Sequence, residues 1–224
     1  MFIFAKKIRD MAGNIFITSD THFCHDKEFL FGGRGFSSPE EMNEQIIKNW
    51  NELISPNDIV YHLGDVMLSN TEGGLECLKR LNGKIYLAIG NHDTNDRIKR
   101  YKECKNIEDI QFAYRLKFNK KNLFLSHYPT LTDNHEEKPI ELKVINLHGH
   151  THEKSKFSSS PLCYHVGLDA HKLKPIYLEY AVDDFFNYKN SLKDVFGVFN
   201  NLVYTKDGFK QDKENGGKII SNFL

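Results

Sequence analysis

The chain has 224 residues, and its 30 basic and 30 acidic side chains give a formal net charge of zero. This balance excludes a basic surface over the whole protein for duplex nucleic acid, although a local basic patch stays open. The apolar fraction of 40% is typical of a globular protein, and the length allows one large or two small domains. The apolar runs are all shorter than the roughly 20 residues that a membrane-spanning helix needs.

The cysteines and the N-terminal segment indicate a cellular compartment. Cys24, Cys77, Cys104 and Cys163 are scattered and form no CxxC pair, which is typical of reduced thiols in an intracellular protein. The segment MFIFAKKIRDMAG places its charges after its apolar residues, the reverse of a secretory signal. We therefore expect a cytoplasmic protein that does not associate with membranes.

Apolar periodicity predicts alternating strands and helices in the first half of the chain. The helix over 38–54 has the clearest signals, since Ser38 can cap it, Pro39 suits its first position and Glu41 completes a capping box. The other predicted elements are strands over 14–20, 57–65 and 84–93, a helix over 75–83 and a short basic helix over 96–104.

The second half of the chain reads mainly as strands. The predicted elements are a hairpin of 112–118 and 122–129, and strands over 143–152, 163–167 and 175–180. After Tyr180 the sequence becomes rich in Asn, Lys and Phe. We predict a helical piece followed by a hairpin there, packed on the main domain, because so many aromatic residues disfavour a solvated tail. The order of elements indicates a layered α/β protein with mixed sheets.

Five predicted strand ends are followed by side chains that bind metals or protons. In open α/β sheets, ligands bind beyond the carboxyl ends of the strands, so these side chains would converge if the five ends share one edge. Carboxylate, imidazole and amide oxygen together suit zinc, iron or manganese, and two ions about 3.5–4 Å apart form a phosphoryl-transfer site. The residues are Asp20 and His22, Asp65, Asn91, His92 and Asp93, His127, and His150 and His152.

The ordered motifs D-x-H, G-D, G-N-H-D, H and G-H-T-H resemble those of the calcineurin-like metallophosphoesterase superfamily, over residues 14–180. The opening SDTHFCH and the ending VGLDAHKLKPI further resemble a small bacterial and phage subgroup. The resemblance implies an α/β fold of four layers (αββα), in which two mixed β-sheets are flanked by helices. It also implies a catalytic domain over 1–180, with residues 181–224 as a C-terminal extension.

The resemblance implies two divalent metal ions, with manganese favoured and iron, zinc or nickel as alternatives. Asp65 would bridge both ions. A hydroxide held between the ions would attack phosphorus in line. The other implied ligands are Asp20, His22 and His152 for the first ion, and Asn91, His127 and His150 for the second.

Roles beside the metals are also implied. His92 is predicted to protonate the leaving oxygen, a contribution of about 10²–10⁴-fold, and Asp93 to orient its neighbours. Contacts with the substrate are predicted for Arg34, whose planar guanidinium suits phosphate, and for His25 and Asn91. The alternatives are a surface arginine and a loop histidine.

Other polar residues are given structural roles. His62 is out of phase with Asp65 along its predicted strand and is expected to be packed. Cys24 replaces a glycine of the subgroup pattern, and a zinc-binding thiolate is disfavoured there. Structural roles are also predicted for His165, Asp169 and His171.

By analogy with other proteins of this fold, the resemblance favours a phosphodiesterase that acts on a nucleotide or related small phosphoester, with attack by the metal-bridging hydroxide. A phosphomonoesterase of the same mechanism and a catalytically silent metal-binding scaffold are the alternatives. A structural-zinc nucleic-acid module is disfavoured, because the cysteine spacing supplies no closed four-ligand site. Nucleic acid is not indicated as a partner by the net charge, and the oligomeric state is left open.

Overall fold

The computed structural model describes residues 13–132, 139–157, 160–195, 202–205 and 208–211. The N-terminal residues 1–12, on which the signal-peptide argument rests, lie outside this range. The chain divides into two compact units, Met1–Ala181 and Val182–Leu224.

The strands, in chain order, have the following bounds. They are β1 (Ile15–Thr18), β2 (Ile59–His62), β3 (Lys84–Ala88), β4 (Ile107–Gln111), β5 (Ala113–Phe118), β6 (Lys121–Ser126), β7 (Val144–His148), β8 (Cys163–His165), β9 (Ile176–Tyr177), β10 (Leu202–Thr205) and β11 (Gly208–Gln211).

The helices, in chain order, are α1 (Glu28–Phe31), α2 (Pro39–Asn51), α3 (Thr71–Lys79), α4 (Asn95–Tyr101) and α5 (Leu178–Val195). Two short 3₁₀ turns lie at Ile140–Leu142 and Leu168–Ala170.

The first unit contains two mixed sheets. One has five strands in the order β4-β3-β2-β1-β9, parallel except for β9. The other has four strands in the order β5-β6-β7-β8, parallel except for β5. With the flanking helices, this architecture confirms the predicted fold class.

Alternate residues of the strands fill the core between the five-stranded sheet and its helices. Val60 and His62 of β2 are buried, and His62 stacks on Trp50 of α2 with ring centroids 6.2 Å apart. Tyr61 points the other way, towards the second sheet, and its ring lies 5.4 Å from that of Tyr114 in β5. Successive residues of β2 therefore face different layers.

Helix α2 forms as its sequence predicts at the N-terminus and ends earlier than predicted. Ser38 Oγ accepts a hydrogen bond from Glu41 N at 3.2 Å, and Pro39 occupies the first turn. The Glu41 carboxylate accepts from Ser37 N at 2.8 Å, one residue before the cap. The helix stops at Asn51 and not at residue 54.

Three differences from the predicted elements have local causes. Helix α3 begins four residues before residue 75, because Asn70 caps it and Gly74 packs closely on Met67. The predicted strand over 175–180 is wrong beyond Tyr177, since α5 begins at Leu178. Strand β4 was not predicted, because its sequence IEDIQ has polar residues at three of five positions.

The hairpin of β5 and β6 has a two-residue turn, Asn119-Lys120, and both residues have positive φ. This is the backbone that two-residue hairpins favour. In the second unit, β10 and β11 pair antiparallel after α5, which agrees with the predicted helical piece and hairpin. The predicted packing of this extension on the main domain stays a prediction.

Candidate metal centre

The predicted ligands lie directly beyond the carboxyl ends of parallel strands. Asp20 and His22 follow β1, and Asp65 follows β2. The Asn91 segment follows β3, His127 follows β6, and both His150 and His152 follow β7. The loops after β1 and β2 run side by side, since Asp20 N donates to Gly64 O at 3.0 Å and His22 N to Asp65 O at 3.1 Å.

Glycine is required where these loops meet. Gly64 has φ +89°, and a Cβ atom there would lie 2.6 Å from Gly90 N and 2.8 Å from His127 Nδ1. A side chain at Gly64 would therefore separate two of the loops that carry ligands.

Several of the predicted ligands have left-handed backbone conformations. Positive φ in residues other than glycine is uncommon, and it clusters at functional sites. The values are 59° for Asp20, 48° for His22, 57° for Asp65, 71° for His150 and 51° for His152.

We define cluster A as Asp20, His22 and His152. The Nε2 atoms of the two imidazoles lie 3.0 Å apart. Asp20 Oδ1 lies 3.8 Å from His22 Nε2 and 3.7 Å from His152 Nε2. These three ligand atoms lie within 4.8 Å of one another, so one cation could contact all three.

The Asp169 carboxylate orients the imidazole of His152. His152 Nδ1 lies 2.8 Å from Asp169 Oδ2. Burial favours a higher pKa for Asp169, but His152 and Arg34 hold the pKa of this carboxyl well below its usual range. A charged carboxylate can only accept, so Nδ1 carries a proton. Burial lowers the pKa of His152, but the hydrogen bond with Asp169 and the charges of Asp20 and Asp169 together outweigh this effect and raise it. In the neutral imidazole the lone pair of Nε2 faces cluster A. A purely structural role had been predicted for Asp169, and its contact with a candidate ligand was missed.

Arg34 borders a cleft beside cluster A, and its hydrogen-bond donors are bound within the protein, so its predicted substrate contact stays a prediction. Its Nε and Nη2 donate to the two oxygens of Asp169 at 2.8 and 2.9 Å. Its Nη2 also donates to Asp20 O at 2.7 Å, and Nη1 donates to Thr21 O at 3.2 Å. Only 2% of the side chain is exposed. Because these donors are engaged within the protein, Arg34 positions Asp169 and the loop after β1.

We define cluster B as Asn91, His127 and His150. His127 Nε2 lies 2.9 Å from Asn91 Oδ1 and 3.2 Å from His150 Nδ1. His127 Nδ1 donates to Leu63 O at 2.8 Å, because a carbonyl oxygen can only accept. The lone pair of His127 Nε2 therefore faces the cluster. The ring of Tyr128 packs against both imidazoles, with centroids 5.0 Å from His127 and 4.7 Å from His150.

Asp65 lies between the two clusters. Its Oδ1 accepts from His92 N at 2.8 Å. Its Oδ2 lies 3.6 Å from His22 Nε2 in cluster A and 3.5 Å from His127 Nε2 in cluster B. Burial raises the pKa of Asp65, and the neighbouring His127 opposes this effect. Asp20 also borders cluster B, since it forms a second close group with Asp65 and His127.

The donor atoms of both clusters fit divalent cations. In the neutral imidazole that donates from Nδ1, His127 Nε2 carries a lone pair, yet it faces the amide oxygen of Asn91. Asp20 Oδ1 is buried and has no hydrogen-bond partner among the described residues. Acceptors that converge with no proton between them are stabilised by a cation, and this mixture of nitrogen and oxygen suits manganese, iron or zinc.

The protonation states of Asp20 and His22, two of the three members of cluster A, favour metal binding. Burial would raise the pKa of Asp20, but the adjacent imidazoles, His22 first, hold it well below the usual range. Burial lowers the pKa of His22 to about 4 against the partly compensating charge of Asp20. Near neutral pH the carboxylate is therefore charged and the imidazole is free of the proton that would block a metal.

His92 and Asp93 have different surroundings, although they are adjacent in sequence. The His92 side chain is 39% exposed, and its Nε2 lies 3.9 Å from Asp65 Oδ2. Asp93 is buried, and its Oδ2 accepts from Asp65 N and Gly90 N, both at 2.8 Å. Its other oxygen accepts from Tyr101 Oη at 3.0 Å. Asp93 thus holds the backbone that carries Asp65, whereas His92 faces open space.

A cleft of about 380 Å³ opens beside cluster A. Its lining includes the imidazoles of His22, His25, His92 and His152, together with Phe29 and Lys154. A larger cavity of about 670 Å³, lined by Lys156, Lys174 and Tyr177 among others, contains none of the predicted ligands. We place the chemistry in the smaller cleft, because two of the candidate metal ligands, His22 and His152, line it together with His92.

The ring of His25 lies in this cleft, 5.7 Å from that of His22. Its Nδ1 accepts from Lys27 N at 3.2 Å, so a neutral ring carries its proton on Nε2. Burial lowers the pKa of His25. The geometry is consistent with a donor to a substrate oxygen.

The remaining polar residues lie away from open space. His62 is fully buried, as expected, with its Nε2 3.0 Å from Thr21 Oγ1. His165 is also fully buried, and its backbone oxygen lies 2.9 Å from His171 Nε2. Cys24 Sγ accepts from Asn43 Nδ2 at 3.3 Å.

Two mixed sheets that carry two clusters of carboxylate, imidazole and amide at their strand ends define a metal-binding α/β protein. The family model described as calcineurin-like phosphoesterase matches residues 13–210. The chain therefore belongs to the calcineurin-like phosphoesterases, a metal-dependent family, and the predicted family is confirmed. The match extends past residue 180, where the predicted catalytic domain ends.

Relatives of the chain are found in an archaeon and in phages. An uncharacterised protein of Methanocaldococcus jannaschii is 35% identical over 146 residues, which cover 59% of this chain and 83% of that protein. The gene 66 protein of Mycobacterium phage D29 is 31% identical over 188 residues, 73% of this chain and 92% of that protein. A solved structure, of a protein of unknown function from Aquifex aeolicus, aligns with a TM-score of 0.55 at 24% identity. It covers 77% of this chain and 98% of that one, and this likeness shows the fold alone.

In the part of the chain that the structure describes, the helices are too short or too polar to cross a membrane.

Proposed function

We propose that this chain is a phosphodiesterase that uses two divalent metal ions to hydrolyse a nucleotide or a related small diester. Manganese is the favoured ion, and iron, zinc and nickel are the alternatives. The position of Asp65 carries the proposal: its Oδ2 lies 3.6 Å from an imidazole of cluster A and 3.5 Å from one of cluster B. One carboxylate in this position supports two cations held close together.

Cluster A would hold one ion and cluster B the other, with Asp65 shared. When bound, such a pair of ions neutralises charge on the phosphoryl oxygens and makes water a stronger nucleophile near neutral pH. The protein contributes the fixed geometry. Asp93 holds the Asp65 backbone, Asp169 orients His152, and the Leu63 carbonyl orients His127.

His92 is the proposed general acid. Its side chain belongs to neither cluster, is 39% exposed and borders the cleft. It can therefore reach the leaving oxygen of a bound ester without giving up a metal contact. His25, with its proton on Nε2, is proposed to donate to a phosphoryl or sugar oxygen.

The charge of the cleft supports a diester over a monoester. Among the described residues that line the cleft, the cations other than histidine are Arg34 and Lys154. Asp169 neutralises Arg34 through two hydrogen bonds. A monoester carries up to one more negative charge than a diester, so it would be served better by an unpaired guanidinium.

The test is a substrate panel with protein that has been stripped of metal and reloaded with manganese. It compares bis-p-nitrophenyl phosphate, p-nitrophenyl phosphate, and cyclic and linear nucleotides. We expect metal-dependent hydrolysis with the higher kcat/KM on diesters. The Asp65→Asn variant, purified identically, controls for contaminating phosphatases. A higher kcat/KM on monoesters would favour the phosphomonoesterase, and full metal occupancy without any hydrolysis would favour the silent scaffold.

A further inference from the structure

Phe29 is an apolar side chain in a polar place. It is 75% exposed and lines the cleft beside cluster A. Its neighbours on α1 behave differently, since Leu30 is buried in the core and Phe31 packs against the core. A single exposed aromatic residue is ordinary on a protein surface. Its position at the entrance to the cleft beside cluster A, however, suggests a function in binding.

The backbone beneath Phe29 is held firmly. Gly32 N donates to Glu28 O at 2.8 Å, and Arg34 N donates to Leu30 O at 3.0 Å. The Leu30 side chain lies in the core, and the Arg34 side chain is bonded to Asp169. The exposed ring is therefore presented from a fixed support, which lowers the conformational cost of binding against it.

Two ring contacts connect Phe29 with cluster A. The ring of His25 meets that of Phe29 edge to face, with centroids 5.4 Å apart. His25 in turn meets the ring of His22, a member of cluster A, at 5.7 Å. His25 thus lies between the position of a phosphoryl group at the cluster and that of a planar ring against Phe29.

We propose that Phe29 is the stacking platform for the base of a nucleoside phosphoester, and that it determines preference for such substrates over esters without a base. The inference rests on the proposed phosphoesterase function. Any of the nucleic-acid bases can stack on an aromatic ring, because each has a flat π-face. Loss of one such contact weakens binding by about 5- to 100-fold.

Two esters with the same leaving group isolate the base. Thymidine 5′-(p-nitrophenyl phosphate) carries a base, and methyl p-nitrophenyl phosphate does not. In Phe29→Ala, the ratio of kcat/KM for the thymidine ester to that for the methyl ester should fall by about 5- to 100-fold. Phe29→Trp should restore the ratio. The matched control is Phe112→Ala, because Phe112 is 82% exposed and does not line the cleft.

A binding measurement separates this inference from the proposed activity. Calorimetric titration of the metal-loaded protein with thymidine 5′-monophosphate should show weaker binding in Phe29→Ala, with no such change for inorganic phosphate. If the wild-type protein hydrolyses both esters but Phe29→Ala leaves their ratio and the nucleotide affinity unaltered, stacking is wrong and the phosphodiesterase proposal stands. An equal fall on both esters would instead place the nitrophenyl group on Phe29 and overturn the inference. If the wild-type protein hydrolyses neither these esters nor any member of the substrate panel, the proposed function fails, and the titration alone decides on stacking.

Discussion

Clusters A and B hold similar side chains, but the groups behind those side chains differ. In cluster A, His152 is oriented by the charged Asp169, which is itself bound by Arg34. In cluster B, His127 is oriented by the neutral backbone oxygen of Leu63. Cluster A also contains the carboxylate of Asp20, whereas cluster B contains no carboxylate of its own and borders those of Asp65 and Asp20.

This difference between the clusters should give them different affinities for cations. A carboxylate that accepts a hydrogen bond from a ligating imidazole makes the other ring nitrogen more basic, so that it binds a metal ion more strongly. A carboxylate ligand adds direct electrostatic attraction to the cation. We therefore expect cluster A to bind its ion more tightly than cluster B. Asp65, placed between them, should affect both clusters.

Asp65→Asn should have the largest effect, because it removes the negative charge shared by the clusters. Both ions should bind more weakly, and hydrolysis should fall by several orders of magnitude. Elemental analysis after dialysis gives the number of ions per chain. Full double occupancy in this variant would contradict the bridging role.

His92→Ala tests a side chain that belongs to neither cluster. We expect both ions to remain, with a rate loss of about 10²–10⁴-fold on esters with a poor leaving alcohol. The loss should be much smaller on nitrophenyl esters, because nitrophenolate leaves without a proton. Equal losses on both types would indicate a role in binding the phosphoryl group, and loss of metal would make His92 a ligand.

Asp20→Asn and His127→Ala compare the clusters directly. Each variant should keep one tightly held ion, since each change falls mainly on one cluster. The ion that remains in His127→Ala occupies cluster A, so it should resist a chelator longer than the ion that remains in Asp20→Asn. If the remaining ion resisted the chelator longer in Asp20→Asn than in His127→Ala, the proposed difference in affinity between the clusters would be wrong.

Asp169→Asn should give the smallest of these effects. It removes the charge behind His152 and leaves every ligand in place, so cluster A should lose about 10–100-fold in affinity. Competition with a chelating dye measures this affinity. Asp96→Asn is the matched control, because Asp96 is exposed and pairs with Lys99. An unchanged affinity in Asp169→Asn would mean that the contact with His152 has no influence on metal binding.

The positions of the candidate ligands could be predicted from the sequence, because each follows a strand with a clear apolar pattern. Asp20, Asp65 and Asn91 could thus be assigned to strand ends without knowledge of the sheets. The alternation of strands and helices is also a local signal, and it indicated a layered α/β protein with mixed sheets. The four-layer arrangement was implied by the family resemblance.

The contacts behind the ligands could not be predicted, because they join distant parts of the chain. Arg34 and Asp169 are 135 residues apart, and neither has a local pattern that indicates its partner. An arginine that suits phosphate also suits a buried carboxylate, and only the fold decides between them. The exposure of Phe29 was hidden in the same way, since an apolar run does not reveal which ring faces out.

The central claim is that one carboxylate holds two ions together in a single centre. Electron paramagnetic resonance of the manganese-loaded protein, combined with elemental analysis, tests this claim most directly. We expect two manganese ions per chain and the many-line spectrum of a magnetically coupled pair. Saturation at one ion per chain, or two ions with only the signal of isolated manganese, would contradict it.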